Sequence, residues 1–79
     1  MYEKITPKGT ALGTLMRFTI EGDDREYEIL GMIASGIPNS TDLLITEIDY
    51  RIVDTPRRAD GHYPHITAVE FDANCTLIS

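Results

Sequence analysis

Residues 16–29 read MRFTIEGDDREYEI, and this stretch decides the fold class. Its first half alternates apolar and polar residues, a polar turn follows, and the alternation resumes in its second half. The apolar members of the pattern are Met16, Phe18, Ile20, Tyr27 and Ile29. Alternation with a period of two is typical of a half-buried strand, so the stretch predicts a β-hairpin. We expect its turn to place Ile20 opposite Tyr27, and Phe18 opposite Ile29, on one apolar face.

A helix over about residues 24–35 is the alternative for the second half of this stretch. Asp24 would be its N-cap, Gly36 would follow its last turn, and Pro38 lies beyond. Gly31 in the helix interior and the matching faces of the hairpin weigh against the helix. The alternative fold class is therefore α+β.

Two further strands are predicted downstream. The first runs from Leu43 to Asp54, with its polar residues on one side; the second runs from about His65 to Ile78 in the same alternating manner. A short fifth strand is expected over residues 2–5. The sequence thus predicts one mainly β domain over residues 1–79, an antiparallel meander of four to five strands that is curled or packed on itself.

The amino-acid composition of the chain limits the classes of function that we expect. The 79 residues include 13 acidic and 7 basic side chains, a net charge of −6. This charge repels phosphates, so direct nucleic-acid binding is not expected, whereas a basic surface of a protein partner would be attracted. No apolar stretch is long enough to cross a membrane and the N-terminal residues do not resemble a signal peptide, so no membrane partner is expected. The lone Cys75 favours a reducing compartment, and we expect a cytoplasmic protein.

An acidic face is the first candidate binding site. If the last two strands pair around residues 59 and 60, Glu47 lies opposite Asp72 and Asp49 lies opposite Glu70. Four carboxylates on one exposed patch favour a positive partner, because like charges directly opposite each other destabilise a sheet. The alternatives are a solvated polar face interleaved with arginines, or a register that separates the carboxylates.

The segment between these strands, residues 55–64, reads TPRRADGHYP. Arginine and tyrosine are common at the energetic centres of interfaces, so Arg57, Arg58 and Tyr63 are predicted as a second partner contact. His62 and His65 are three residues apart and would serve a metal site only with further ligands. No metal and no cofactor are therefore predicted, although binding of a metal or small ligand by this loop stays an alternative.

Catalytic residues are not predicted. No nucleophile motif or phosphate-binding loop is present, and Cys75 falls on the inward face of its predicted strand, where it is interpreted as a small core residue. The predicted function is a non-enzymatic binding module that acts as an inhibitor or accessory protein by occupying a basic surface of its partner. Phage- or plasmid-encoded blockers of nucleic-acid-binding machines are the suggested class. A homodimer formed through a sheet edge or the apolar face is the structural alternative.

Overall fold

The computed structural model describes residues 3–53 and 63–78. The elements are β1 (Lys4–Ile5), β2 (Arg17–Ile20), β3 (Tyr27–Gly36), β4 (Leu43–Ile52), β5 (His65–Thr67), α1 (Ala68–Asn74) and β6 (Cys75–Leu77). The strands form one mixed sheet that is curled into a half-barrel. The mainly β class predicted from the sequence is therefore confirmed.

The sheet contains the predicted meander. Strands β2, β3 and β4 each pair with the next strand along the chain in antiparallel fashion. The sheet has the order β1-β4-β3-β2-β6, and β5 also pairs with β4. The short N-terminal strand expected over residues 2–5 is present as β1, and it pairs in parallel with the beginning of β4. Among the described residues, β6 is the strand next to β2 at the other end of this order.

The hairpin is formed, and the alternative helix over residues 24–35 is wrong, because residues 27–36 are a strand. Its register differs from the predicted one by two residues, since Phe18 lies opposite Tyr27 rather than Ile29. A shift by two keeps each side chain on its face, so Phe18, Tyr27 and Ile29 still face inward and are buried. The turn is longer than predicted, and within it Asp23 accepts a hydrogen bond from the backbone N–H of Arg25 at 2.9 Å.

Two irregularities interrupt the long pairing of β3 with β4. The register shifts between Ile29 and Gly31, and again between Ile33 and Ala34. An extra residue in one strand reverses the side to which the following side chains point. At the second shift the extra residue is Thr46 in β4, and for this reason Ile45 is fully buried, whereas uninterrupted alternation from the buried Ile48 would turn Leu44 inward.

The predicted strand from His65 to Ile78 is wrong in its middle, where residues 68–74 form the helix α1. Thr67 is its N-cap, and the Thr67 hydroxyl accepts a hydrogen bond from the backbone N–H of Glu70 at 3.2 Å. Threonine followed three residues later by glutamate is a known signature of a helix start. Ala68 and Phe71 are three residues apart and both buried, as helical spacing requires.

The core lies on the inner face of the curled sheet, beneath α1. Phe18 is fully buried, and the rings of Tyr27, Tyr50 and Phe71 surround it with centroids at 5.0–5.6 Å. The helix connects β5 to β6 and contacts β4, β5 and β6. It therefore covers part of the apolar inner face of the sheet. Within residues 3–53 and 63–78, no helix has the length and apolar character needed to cross a membrane.

Candidate functional site

The outer face of the sheet, on the side away from Phe18, carries three rows of side chains across neighbouring strands. Residues directly opposite each other in a sheet point to the same side. The rows are Ile33–Glu47–Thr67, Gly31–Asp49–His65, and Arg17–Glu28–Arg51. Ile48 is fully buried between Glu47 and Asp49 along β4, which confirms that these two carboxylates point away from the core.

Glu47, Asp49 and His65 form a compact group on this face, which we call the outer cluster. One potential ligand atom from each residue lies within 4.8 Å of those of the other two. His65 Nε2 is 3.3 Å from Glu47 Oε1. The side chains of Glu47 and His65 are 33% and 64% exposed, so the cluster is open to solvent.

The local sequence explains this arrangement. Glu47 and Asp49 are alternate residues of β4, so they point to one side about 6.6–7 Å apart along the strand. The antiparallel pairing of β5 places His65 opposite Asp49 and Thr67 opposite Glu47. His65 therefore inserts its imidazole beside the two carboxylates.

The predicted four-carboxylate patch is not formed in the predicted register. Glu47 lies opposite Thr67 rather than Asp72, and Asp49 lies opposite His65 rather than Glu70. Glu70 and Asp72 belong to α1, where Asp72 Oδ2 accepts a hydrogen bond from the backbone N–H of Lys8 at 3.0 Å. The structure thus brings together two of the four predicted carboxylates and adds a histidine that the acidic-face prediction did not include.

Gly31 lies directly opposite Asp49 and leaves the neighbouring position without a side chain. A Cβ atom placed at Gly31 would lie 3.9 Å from Asp49 Oδ2. A glycine in a strand interior often marks a bulge or a place where another group approaches closely. In this protein Gly31 stands at the register shift that follows Ile29. Because Gly31 has no side chain, the Asp49 carboxylate is left uncovered on the side that faces β3.

The third row holds an ion pair of low exposure. Arg51 Nε donates to Glu28 Oε1 at 2.9 Å, and the side chains are 16% and 11% exposed. Arg51 is one of the arginines that the sequence interleaves with the acidic residues of this face. In the structure its guanidinium forms an ion pair with Glu28, which lies directly opposite it in this row.

A second feature is a cavity of about 270 Å³ between residues 8–10 and the segment from Phe71 to Leu77. Asp72 lines it, and Asp72 Oδ1 is buried without a hydrogen-bond partner among the described residues. Cys75 also lines it, and burial raises the pKa of the Cys75 thiol to about 11. Cys75 is packed against the core, which agrees with its interpretation as a small core residue rather than a thiolate nucleophile.

Only some of the remaining predicted contact residues belong to the part of the chain that the structure describes. Tyr63 is half-buried beside the start of β5. Arg57, Arg58 and His62 lie outside the described residues, so the loop contact with a partner stays a prediction. The role of Glu47, Asp49, Glu70 and Asp72 in binding a partner likewise stays a prediction.

The chain matches no protein-family model, no curated protein and no solved structure.

Proposed function

We propose that this protein is a non-enzymatic binding module that occupies a basic surface of a partner protein with the outer face of its sheet. The observation that carries the proposal is the row formed by Ile33 and Glu47. Ile33 is 56% exposed, lies directly opposite Glu47, and is one row away from Asp49. An exposed apolar side chain beside carboxylates combines an anchor with charges that orient a basic partner.

The net charge of the whole chain also supports a partner protein with a basic surface. A net charge of −6 attracts a basic protein surface over a distance of about one Debye length, roughly 8–10 Å at moderate salt. The same charge disfavours direct contact with nucleic acid. A small acidic module of this kind suits an inhibitor or accessory protein for a nucleic-acid-binding machine, because the surface that such a machine offers to phosphates is basic.

A cytoplasmic location and a non-enzymatic role complete the proposal. The only cysteine is Cys75, which is consistent with a reducing compartment. The high pKa of its thiol keeps it protonated at neutral pH, and this supports a structural rather than a catalytic use. Arg57, Arg58 and Tyr63 remain the proposed second contact, with Glu70 and Asp72 as further acidic contributors.

The test is capture of a partner from lysate of the source or host by the tagged protein at low and at high salt. The double variant Glu47→Lys/Asp49→Lys reverses two charges on the outer face. The matched control is Asp24→Lys/Glu26→Lys, which gives the same net charge through exposed residues of the hairpin turn. We expect one protein to be captured at low salt by the wild type and the control, and to be lost with the outer-face variant.

Circular dichroism melting of both variants checks that folding is kept. Equal loss of the captured protein in both double variants would show that net charge alone drives the binding and would reject the outer face as the site. Retention by the outer-face variant would reject it as well. The variant Ile33→Ser, which keeps every charge, tests the apolar anchor separately.

A homodimer is the second candidate, and the position of β6 favours it. Within the described residues β6 pairs only with β2, so the other side of this strand has no strand neighbour. Edges of this kind accept a strand from another chain. Sedimentation equilibrium over a wide concentration range decides between a monomer and a dimer. A mass that rises with protein concentration would support the dimer, and a constant mass equal to that of one chain would reject it.

A further inference from the structure

We propose that Glu47, Asp49 and His65 bind a divalent transition-metal ion of the Zn²⁺ type on the outer face of the sheet. The site joins two strands, since both carboxylates lie on β4 and the imidazole lies on β5. It differs from the metal site considered from the sequence, which centred on the spacing of His62 and His65.

The distances suit a single ion. Bonds of about 2.1 Å in a tetrahedral centre place neighbouring ligand atoms roughly 3.4 Å apart. His65 Nε2 and Glu47 Oε1 are already 3.3 Å apart, and the three ligand atoms lie within 4.8 Å of one another. A small rotation of the Asp49 or Glu47 side chain brings all three to bonding distance, and neither strand needs to move.

The ligand types indicate the class of ion. Oxygen ligands alone suit Mg²⁺ and Ca²⁺, whereas an imidazole nitrogen suits Zn²⁺ and its neighbours in the first transition row. Two carboxylates together balance the charge of a divalent ion. A bound cation would also offset the electrostatic repulsion between Glu47 and Asp49, which are like charges on the same side of one strand.

The surroundings of the three ligands indicate a preorganised metal site rather than a chance approach of two carboxylates. All three ligands belong to strands rather than loops, which keeps their backbones in position before an ion arrives. Gly31 leaves free the space next to Asp49 Oδ2, at the register shift in β3. His65 is 64% exposed, so water completes the coordination and the ion enters directly from solvent.

This inference does not depend on the proposed partner. A bound ion would compete with a basic protein surface for Glu47 and Asp49, so the metal is tested on the isolated protein. Failure of one proposal is thereby distinguished from failure of the other.

The experiment is calorimetric titration of the full chain, freed of its affinity tag and of trace metals, with Zn²⁺, Mg²⁺ and Ca²⁺ in turn. We expect one Zn²⁺ per chain, bound at least about tenfold more tightly than either of the other ions. The variants Glu47→Gln, Asp49→Asn and His65→Gln should each weaken Zn²⁺ binding by about tenfold or more, as removal of a ligand requires. The matched control Glu26→Gln, an exposed glutamate of the hairpin turn, should bind like the wild type.

A measurement on the wild type alone guards against variants that fail to fold. Substoichiometric Mn²⁺ broadens the amide signals of nearby residues in a ¹H–¹⁵N NMR spectrum, and we expect the broadening to centre on residues 47–49 and 65–67. The proposal is overturned if Zn²⁺ produces no binding heat, if the three variants bind it as tightly as the wild type, or if the broadening centres elsewhere.

Discussion

The rings of Phe71 in α1 and Phe18 in β2 meet edge to face, with centroids 5.0 Å apart and an interplanar angle of 69°. Phe71 is 2% exposed and Phe18 is completely buried. Aromatic pairs in this arrangement contribute about 0.5–1.5 kcal/mol beyond their burial. This contact attaches the helix to the sheet and closes the inner face of the half-barrel over its core.

Replacing Phe71 with leucine should therefore lower the free energy of unfolding by about 1–2 kcal/mol, because ring contact and buried volume are both lost. Urea denaturation followed by circular dichroism measures the change. Val69 on the same helix is 65% exposed, so Val69→Ala is the control and should alter the free energy by no more than about 0.5 kcal/mol. Equal effects of the two substitutions would mean that α1 is not held by Phe71.

The hydroxyl of Thr67 caps the N-terminus of α1. Thr67→Ala removes the acceptor for the backbone N–H of Glu70 and should destabilise the protein by about 1 kcal/mol. Thr67→Ser keeps the hydroxyl and should recover most of this loss in the same denaturation experiment. If serine and alanine destabilise the protein equally, the methyl group of Thr67 matters more than its cap.

The ion pair between Glu28 and Arg51 is suited to a double-mutant cycle. Glu28 is 8% exposed, so Arg51→Met leaves a poorly hydrated carboxylate and should cost about 2 kcal/mol of stability. The double variant Glu28→Leu/Arg51→Met should lose less than the sum of the single variants, by about 1 kcal/mol or more. Additive losses would show that the pair contributes no coupling energy, although its atoms are 2.9 Å apart.

Long alternating stretches made the sheet predictable. Phe18, Tyr27 and Ile29 alternate with polar residues over enough positions to favour the hairpin over the helix at residues 24–35, and the same signal correctly placed Glu47 and Asp49 together on an outer face. Register was harder to predict. It depends on turn length, and the turn of the first hairpin contains hydrogen bonds between Asp23 and Arg25 that alternation does not reveal.

The segment from Ala68 to Asn74 is ambiguous for a physical reason. Val69, Phe71 and Ala73 fit a strand with a period of two, while Ala68 and Phe71 fit a helix, and Val69 is in fact exposed. The Thr67–Glu70 spacing was the available signal for the helix. The position of His65 was missed for a separate reason: the long segment between the two strands left their register open, and closure around residues 59 and 60 paired Asp49 with Glu70 instead of His65.

Asp23 is expected to make the stability of the fold depend on pH in the acidic range. Its carboxylate accepts hydrogen bonds from Arg25 Nε and Nη2 at 3.1 and 2.9 Å, and from the hydroxyl of Tyr27. The side chain of Arg25, followed by the Tyr27 hydroxyl, lowers the pKa of Asp23 well below its usual value of 3.8. Folding therefore favours the ionised carboxylate, and the resulting stability is present above about pH 4 and is lost as the pH falls below that value.

Asp23→Asn should consequently be less stable than the wild type at pH 7, and the difference should shrink as the pH is lowered from 4 towards 2. Urea denaturation at several pH values measures both curves, because only the wild type has the Asp23 proton to bind. Asp24→Asn removes the adjacent, exposed carboxylate and serves as the control, with a curve that stays close to the wild type. A difference between Asp23→Asn and the wild type that stays constant down to pH 2 would mean that the hydrogen bonds of Asp23 do not depend on its charge.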